Sequence, residues 1–288
     1  MSGRVLIALL TLFGRAPLPA LRALGWLLGQ VLYGLAGSRR RIVLTNLGLC
    51  FPDLDPGARK RLARRTLVAF AQSWLDRGWL WHAPEKTLLQ RLRLQGALFE
   101  LEGNRPVVLF APHFMGLDAA WTALTLRLPR RLVTIYSPQK SAATDRWMHT
   151  GRQRWGQPTQ VPRGDGVRPV LQALRAGQPL YLLPDMNFDP SESLFVPFFG
   201  VTACTVTSLP RFARLGRAKV VPVVARMTPL GYDVMVLPAW ADYPSANLES
   251  DVRRMNVELE GYIKPMPEQY YWLHRRFKDQ PAGAVSPY

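Results

Sequence analysis

The chain has 288 residues, 37 Lys plus Arg against 20 Asp plus Glu for a net charge of +17, and a 48% hydrophobic composition. That length and apolar fraction exclude a disordered chain and suit one large α/β domain or two small ones, with enough surface to bury a substantial core. Only Cys50 and Cys204 are present, too few for a disulfide framework, and the arginine-rich excess of charge calls for an acidic partner such as nucleic acid, anionic lipid or a phosphorylated sugar.

Two apolar blocks open the chain, VLIALLTLF (5–13) and ALGWLLGQVLYGLA (23–36), separated by a stretch holding Arg15, Arg22 and two prolines. Neither reaches the roughly 18 uninterrupted apolar residues of a plain transmembrane helix. Three readings remain: a tilted or broken anchor, a pair of helices lying in the membrane interface with Trp26 and Tyr33 at headgroup level, or a buried helical pair. The basic run SRRR (38–41) follows at once, which argues against a cleaved secretory signal and, by the positive-inside rule, for a cytoplasmic body. The expected division is therefore a hydrophobic membrane anchor over 1–37 and one further domain over 38–288.

Asp55 and Pro56 give an N-cap and first helical position, and from Arg59 to Trp81 apolar residues recur at helical spacing beside Arg59, Lys60, Arg64 and Arg65. This basic amphipathic helix suits contact with anionic headgroups. From about residue 95 the pattern becomes α/β: strands at 106–111, 131–136, 179–184, 220–226 and 232–238 alternate with helices at 118–127, 167–177 and from 206 onward. The fold expected is a mostly parallel central sheet flanked by helices, with ligands beyond the carboxyl ends of its strands. His113, Ser137 and Asp185 all fall just after strands and converge on that edge.

His113 is the histidine whose setting carries chemistry. The strand end projects it into the crevice, and Asp118, in the first turn of the next helix, is placed to fix the imidazole tautomer while the imidazole takes a proton from an attacking hydroxyl. No nucleophile elbow with serine or cysteine stands nearby, so direct attack by the substrate's own hydroxyl is expected. One histidine and one aspartate leave a metal short of ligands, so no metal is expected.

The segment HFMGLD (113–118) matches the H-x4-D block of glycerolipid acyltransferases, and further blocks follow in order: NLGLCFP (46–52), VPRGDGVRPVLQALRAGQPLYLLPD (161–185), SLFVPFFG (193–200), LGRAKVVPVVAR (215–226) and PEQYYWLHRRFKDQP (267–281). Over nearly its whole length the chain resembles the late acyltransferases of lipid A biosynthesis, the lauroyl and myristoyl transferase family. That resemblance implies an enzyme at the cytoplasmic face of the inner membrane, with the acyl carrier protein, the lipid A precursor and the anionic membrane as partners. It would move a fatty acyl chain from acyl carrier protein to a hydroxyl of a Kdo-bearing lipid A precursor, with no cofactor beyond the acyl donor and no nucleic acid. Both substrates are acidic, which fits the basic charge.

On this reading His113 is the general base and Asp118 its orienter. Arg163, in VPRGD, holds a phosphate or assists the oxyanion, while Asp185 serves the acceptor or orients His113 in place of Asp118. Arg275 and Arg276 grip phosphate or a carboxylated sugar. The block DMNFDPSES (185–193) departs from the family pattern. The competing expectations are an acyltransferase acting on a lysophospholipid or amino-acid lipid, and a basic non-catalytic protein bound to membrane or nucleic acid.

Overall fold

The computed structural model describes residues 3–288, so Met1 and Ser2 of the expected N-terminal segment lie outside the described residues. A helical layer comes first in the chain: α1 (Gly3–Phe13), α2 (Leu18–Leu35), α3 (Gly37–Cys50), α4 (Pro56–His82) and the short α5 (Glu85–Arg91). The α/β body then runs β1 (Leu92–Gly96), β2 (Val107–Phe110), α6 (Leu117–Arg127), β3 (Val133–Tyr136), α7 (Ala142–Gln153), β4 (Thr159–Pro162), α8 (Arg168–Arg175) and β5 (Leu180–Leu182). It closes with the hairpin β6 (Ser193–Phe198) and β7 (Val201–Val206), then α9 (Ser208–Gly216), β8 (Lys219–Thr228), β9 (Gly231–Val236) and α10 (Leu248–Ile263).

Seven strands form one sheet in the order β1-β9-β8-β2-β5-β3-β4, parallel throughout except for the β8–β9 pair. The mostly parallel sheet read from the sequence is thus present. The exception is enforced by Pro229–Leu230, a connection too short for the crossover that a parallel neighbour needs. Both faces of the sheet are covered, as the unbroken apolar run of β2 requires: Val108 and Phe110 join one core cluster, Val107 and Leu109 the other. Strands β1 and β4 were not legible as elements, because LRLQG and TQVP carry too little apolar character to stand out, and helices α7 and α10 are further elements beyond the expected set. The aromatic block around 194–200 is the hairpin β6–β7, paired to itself and outside the main sheet.

Helix α4 is the spine that joins the two parts. Asp55 caps it, accepting from the Gly57 and Ala58 N–H groups at 2.8 and 2.9 Å, as its sequence position predicts. The residues Gly25 and Gly29 of α2, four apart, let the two helix backbones meet. A Cβ on Gly29 would lie 2.4 Å from the Val68 Cα, and one on Gly25 would lie 2.5 Å from the Gln72 Cγ. Near its other end Gly78 admits α1 in the same way, a Cβ there falling 2.2 Å from the Leu10 carbonyl oxygen. Among the described residues no helix is long and apolar enough to cross a membrane. Instead α2 turns Leu18, Leu21, Gly25 and Gly29 inward and leaves Trp26, Leu27, Val31 and Leu35 exposed.

Replacing Gly29 by alanine gives a direct test of that contact. Helix propensity alone favours alanine by roughly 1 kcal/mol, whereas the collision with the α4 backbone costs about 1–3 kcal/mol. Gly29→Ala is therefore expected to lower the melting temperature and expose the 14–37 region to limited proteolysis.

Candidate active site

The segment after β2 is held by backbone bonds to the C-terminal region. The Tyr271 N–H donates to the His113 carbonyl at 3.0 Å, and the Met115 N–H to the Gln269 carbonyl at 2.8 Å. This fixes His113 beyond the carboxyl end of β2. Asp185 stands at the same edge, just past the neighbouring strand β5. Its Oδ1 lies 2.8 Å from the His113 Nδ1, and its Oδ2 accepts from the His113 N–H at 3.0 Å and the Tyr270 hydroxyl at 2.9 Å. A carboxylate at Nδ1 selects the Nδ1–H tautomer and leaves Nε2 with a free lone pair. Asp185 is fully buried; burial would raise its carboxyl, but His113 and the hydrogen bonds it accepts hold it below the usual carboxylate range. Burial and the neighbouring Asp185 push the Tyr270 hydroxyl far up, so it stays a donor.

The imidazole opens onto a cavity of about 840 Å³. Apolar and aromatic side chains line much of it, among them Phe70, Trp74, Trp121, Phe188 and Phe212. Ser137, Arg152, Arg163 and His274 add polar groups to the same wall. His274 donates from Nε2 to the Asn187 carbonyl at 3.1 Å, and burial, reinforced by the His113 charge, brings it down to about 4.

The expected His113–Asp118 pair does not form. The start of α6 turns Asp118 away toward α4 and α7, where its Oδ2 accepts from the Arg77 Nε and its Oδ1 from the Arg152 Nε, both at 2.8 Å. The carboxylate beside His113 comes from the adjacent parallel strand, so the orienting acid is Asp185, seventy-two residues away in sequence. Burial penalises the Asp118 carboxylate, yet Arg152 and Arg77 more than offset this and keep it ionised. One carboxylate shared by two guanidinium groups leaves this wall of the cavity net positive. Arg163 is where the sequence places it, past β4 at the cavity wall, with its guanidinium 3.3 Å from the centroid of the Phe188 ring.

Arg276 points into the core and lies off the cavity wall. It is buried, donates to the Cys204 carbonyl and the Thr205 hydroxyl at 2.7 Å each, and stacks on Phe198, so it rivets the C-terminal segment to β7. Arg275 is exposed over the Tyr288 ring and lies off the cavity wall. Arg77, Arg152 and Tyr270 were not singled out from the sequence. Arg77 carried a signal, an Asp-Arg pair inside the aromatic run SWLDRGWLW (73–81), since a charge there must be paired to be buried. Among the described residues no group of three or more His, Cys, Asp or Glu side chains is placed to hold a metal ion.

A tautomer-fixed imidazole stands at the carboxyl edge of a parallel sheet and faces a largely apolar cavity with a cationic wall, an arrangement suited to an enzyme active site. Comparison with known proteins narrows that class. The profile of the bacterial lipid A biosynthesis acyltransferases matches residues 4–279, and the chain belongs to this family of acyltransferase enzymes. It is 29% identical to the lipid A biosynthesis lauroyltransferase of Escherichia coli K12 over 98% of its own length and 93% of the relative's. To the myristoyltransferase of the same strain it is 30% identical, over 94% of this chain and 83% of that one. A lipid A biosynthesis acyltransferase of Haemophilus influenzae is 30% identical over 86% and 78%.

Because Asp118 neutralises two poorly exposed arginines, Asp118→Asn is expected to cost about 3 kcal/mol of unfolding free energy, measured by urea titration. A second expectation concerns pH. The unfolded chain protonates His274 near its ordinary value of about 6.5, while the folded chain resists protonation until about 4. Stability from this residue is thus full above the ordinary value and lost as pH falls through that window. His274→Gln should flatten the melting-temperature profile there.

Proposed function

We propose that this enzyme transfers a fatty acyl chain from an acyl carrier protein thioester to a hydroxyl of a Kdo-bearing lipid A precursor, in lipopolysaccharide biosynthesis. The observation that carries the reading is the Asp185–His113 pair, with a free Nε2 on the wall of an apolar cavity. The acceptor hydroxyl gives its proton to Nε2 while its oxygen attacks the thioester carbonyl carbon. Negative charge then develops on the carbonyl oxygen, for which the cationic wall at Arg152 and Arg77 offers electrostatic support. Collapse breaks the C–S bond, the thiolate takes the proton back from Nε2, and the products are the new ester and the free thiol. Every proton and electron pair in these steps is accounted for by acceptor, thioester and imidazole, so the reaction as written calls for no metal or redox cofactor.

Location follows the same logic. The exposed stripe of Trp26, Leu27, Val31 and Leu35 on α2 suits a helix lying in the plane of the interface. A net charge of +17 suits an acidic carrier protein, a phosphorylated acceptor and an anionic leaflet. These features support a site of action on the cytoplasmic face of the inner membrane.

The test is acyl transfer by the detergent-solubilised protein from a panel of acyl carrier protein thioesters to a tetra-acylated Kdo-bearing precursor, read by mass spectrometry. Wild type should add one acyl chain, and His113→Ala should lower turnover by about 10³-fold while membrane association stays intact. Near-normal turnover by that variant would overturn the general-base assignment. Transfer only to other lipid hydroxyls would reassign the acceptor.

A further inference from the structure

A second concavity, of about 620 Å³, lies on the other side of α4 from the cavity containing His113. Ser73 and Trp74 of α4 face the catalytic cavity, whereas Arg65, Val68 and Gln72 face this one. Arg22, Trp26 and Gln30, spaced four apart on α2, supply the opposite wall. We infer that this groove is a binding site for the phosphodiester headgroup of an anionic phospholipid, distinct from the site of acyl transfer.

The charge balance points to that ligand. The Arg22 charge is already paired, one terminal N–H donating to Asp76 at 2.5 Å. Arg65 donates to Glu268 at 2.7 Å, and Glu268 is the single acid lining the groove among the described residues. Asp55, outside the groove lining, attracts Arg61 electrostatically, but its Oδ1 is committed to the Gly57 and Ala58 N–H groups and among the described residues the two form no ion pair. Two exposed guanidiniums, Arg61 and Arg64, therefore remain without an acidic partner in the groove, one helical turn apart. The Arg64 guanidinium is steadied over the Tyr33 ring at 5.1 Å, which pre-orders it for a planar, charge-assisted contact to phosphate.

Position selects a lipid over a soluble phosphate. Trp26 is on the rim of the groove and is also part of the exposed apolar stripe that continues through Leu27, Val31 and Leu35. A helix seated with that stripe among acyl chains puts Trp26 at headgroup depth, where tryptophan partitions, and the arginines at the level of the phosphates. The groove would thereby set the orientation in which the catalytic cavity meets the membrane. This inference rests on the membrane association proposed above and not on the identity of the acyl donor or acceptor.

The experiment is flotation of the purified full chain with phosphatidylcholine vesicles, with and without phosphatidylglycerol. The variants are Arg61→Gln/Arg64→Gln, the charge-preserving Arg61→Lys/Arg64→Lys, and Arg105→Gln/Arg253→Gln, a control that removes the same charge from exposed positions off the groove. Wild type should bind the phosphatidylglycerol vesicles most tightly. The groove glutamine pair should bind them about tenfold more weakly, with the lysine pair between it and wild type because lysine keeps the charge but lacks the planar fork, and the control within about twofold. Equal weakening by the groove and control pairs would overturn the inference in favour of diffuse charge. An unaffected groove pair would leave the apolar stripe as the docking element and overturn it likewise. Failure of wild type to bind any vesicle would remove the membrane association on which it stands.

Discussion

The carboxylate of Asp185 is the point on which the edge of the candidate site is assembled. It sits past β5, accepts both the main-chain and ring N–H of His113 past β2, and takes the Tyr270 hydroxyl from the C-terminal segment. Three stretches of chain far apart in sequence are thereby fixed to one buried charge. An ion so buried is tolerable only when its oxygens are fully hydrogen-bonded. The bonds that satisfy Asp185 also aim the imidazole, so structural stability and the geometry of the candidate site share one origin. The C-terminal segment closes this arrangement, with Arg276 tying it to β7 and Asn187 bridging it to the loop after β5.

Helix α4 divides the labour of the molecule between its faces. Its adjacent residues Asp76 and Arg77 are both buried and serve opposite ends of the fold. Asp76 collects Arg22 from α2, the Trp79 indole N–H and the Tyr232 hydroxyl from β9, which locks the N-terminal helices to the sheet. Arg77 reaches Asp118 on α6 and shapes the cationic wall of the catalytic cavity. The same helix that exposes Arg61 and Arg64 near its start therefore ends at the wall of the cavity that contains His113. One continuous element of 27 residues spans both features.

Much of the fold was legible in the sequence, for a physical reason in each case. The run VVLF is apolar on both faces, which only a covered parallel sheet accommodates. Asp55 followed by Pro56 marks a helix start through local hydrogen bonding alone, and that start is observed. Strands β1 and β4, whose stability comes from partners, left no comparable trace, whereas α10 carries a local signal of the same kind, Asn247 accepting from the Ser250 N–H at 3.0 Å. The glycine pair Gly25 and Gly29 lay in plain view, yet its meaning depended on what α2 would pack against.

The sequence by itself determined that a histidine would stand at the carboxyl edge of a parallel sheet, that the chain would carry a basic surface, and that its opening helices would be too interrupted for a plain membrane span. These are consequences of local pattern and composition, which act over a few residues. Which acid meets that histidine was decided only by tertiary structure. Asp118 is five residues away, but the helix it begins carries it to Arg77 and Arg152, whereas strand order sets Asp185 beside the ring. Arg276 was likewise separated from Arg275 by packing alone, one buried against β7 and the other left in solvent. Side chains find their partners through the crossing of elements in space, and no spacing along the chain encodes that crossing.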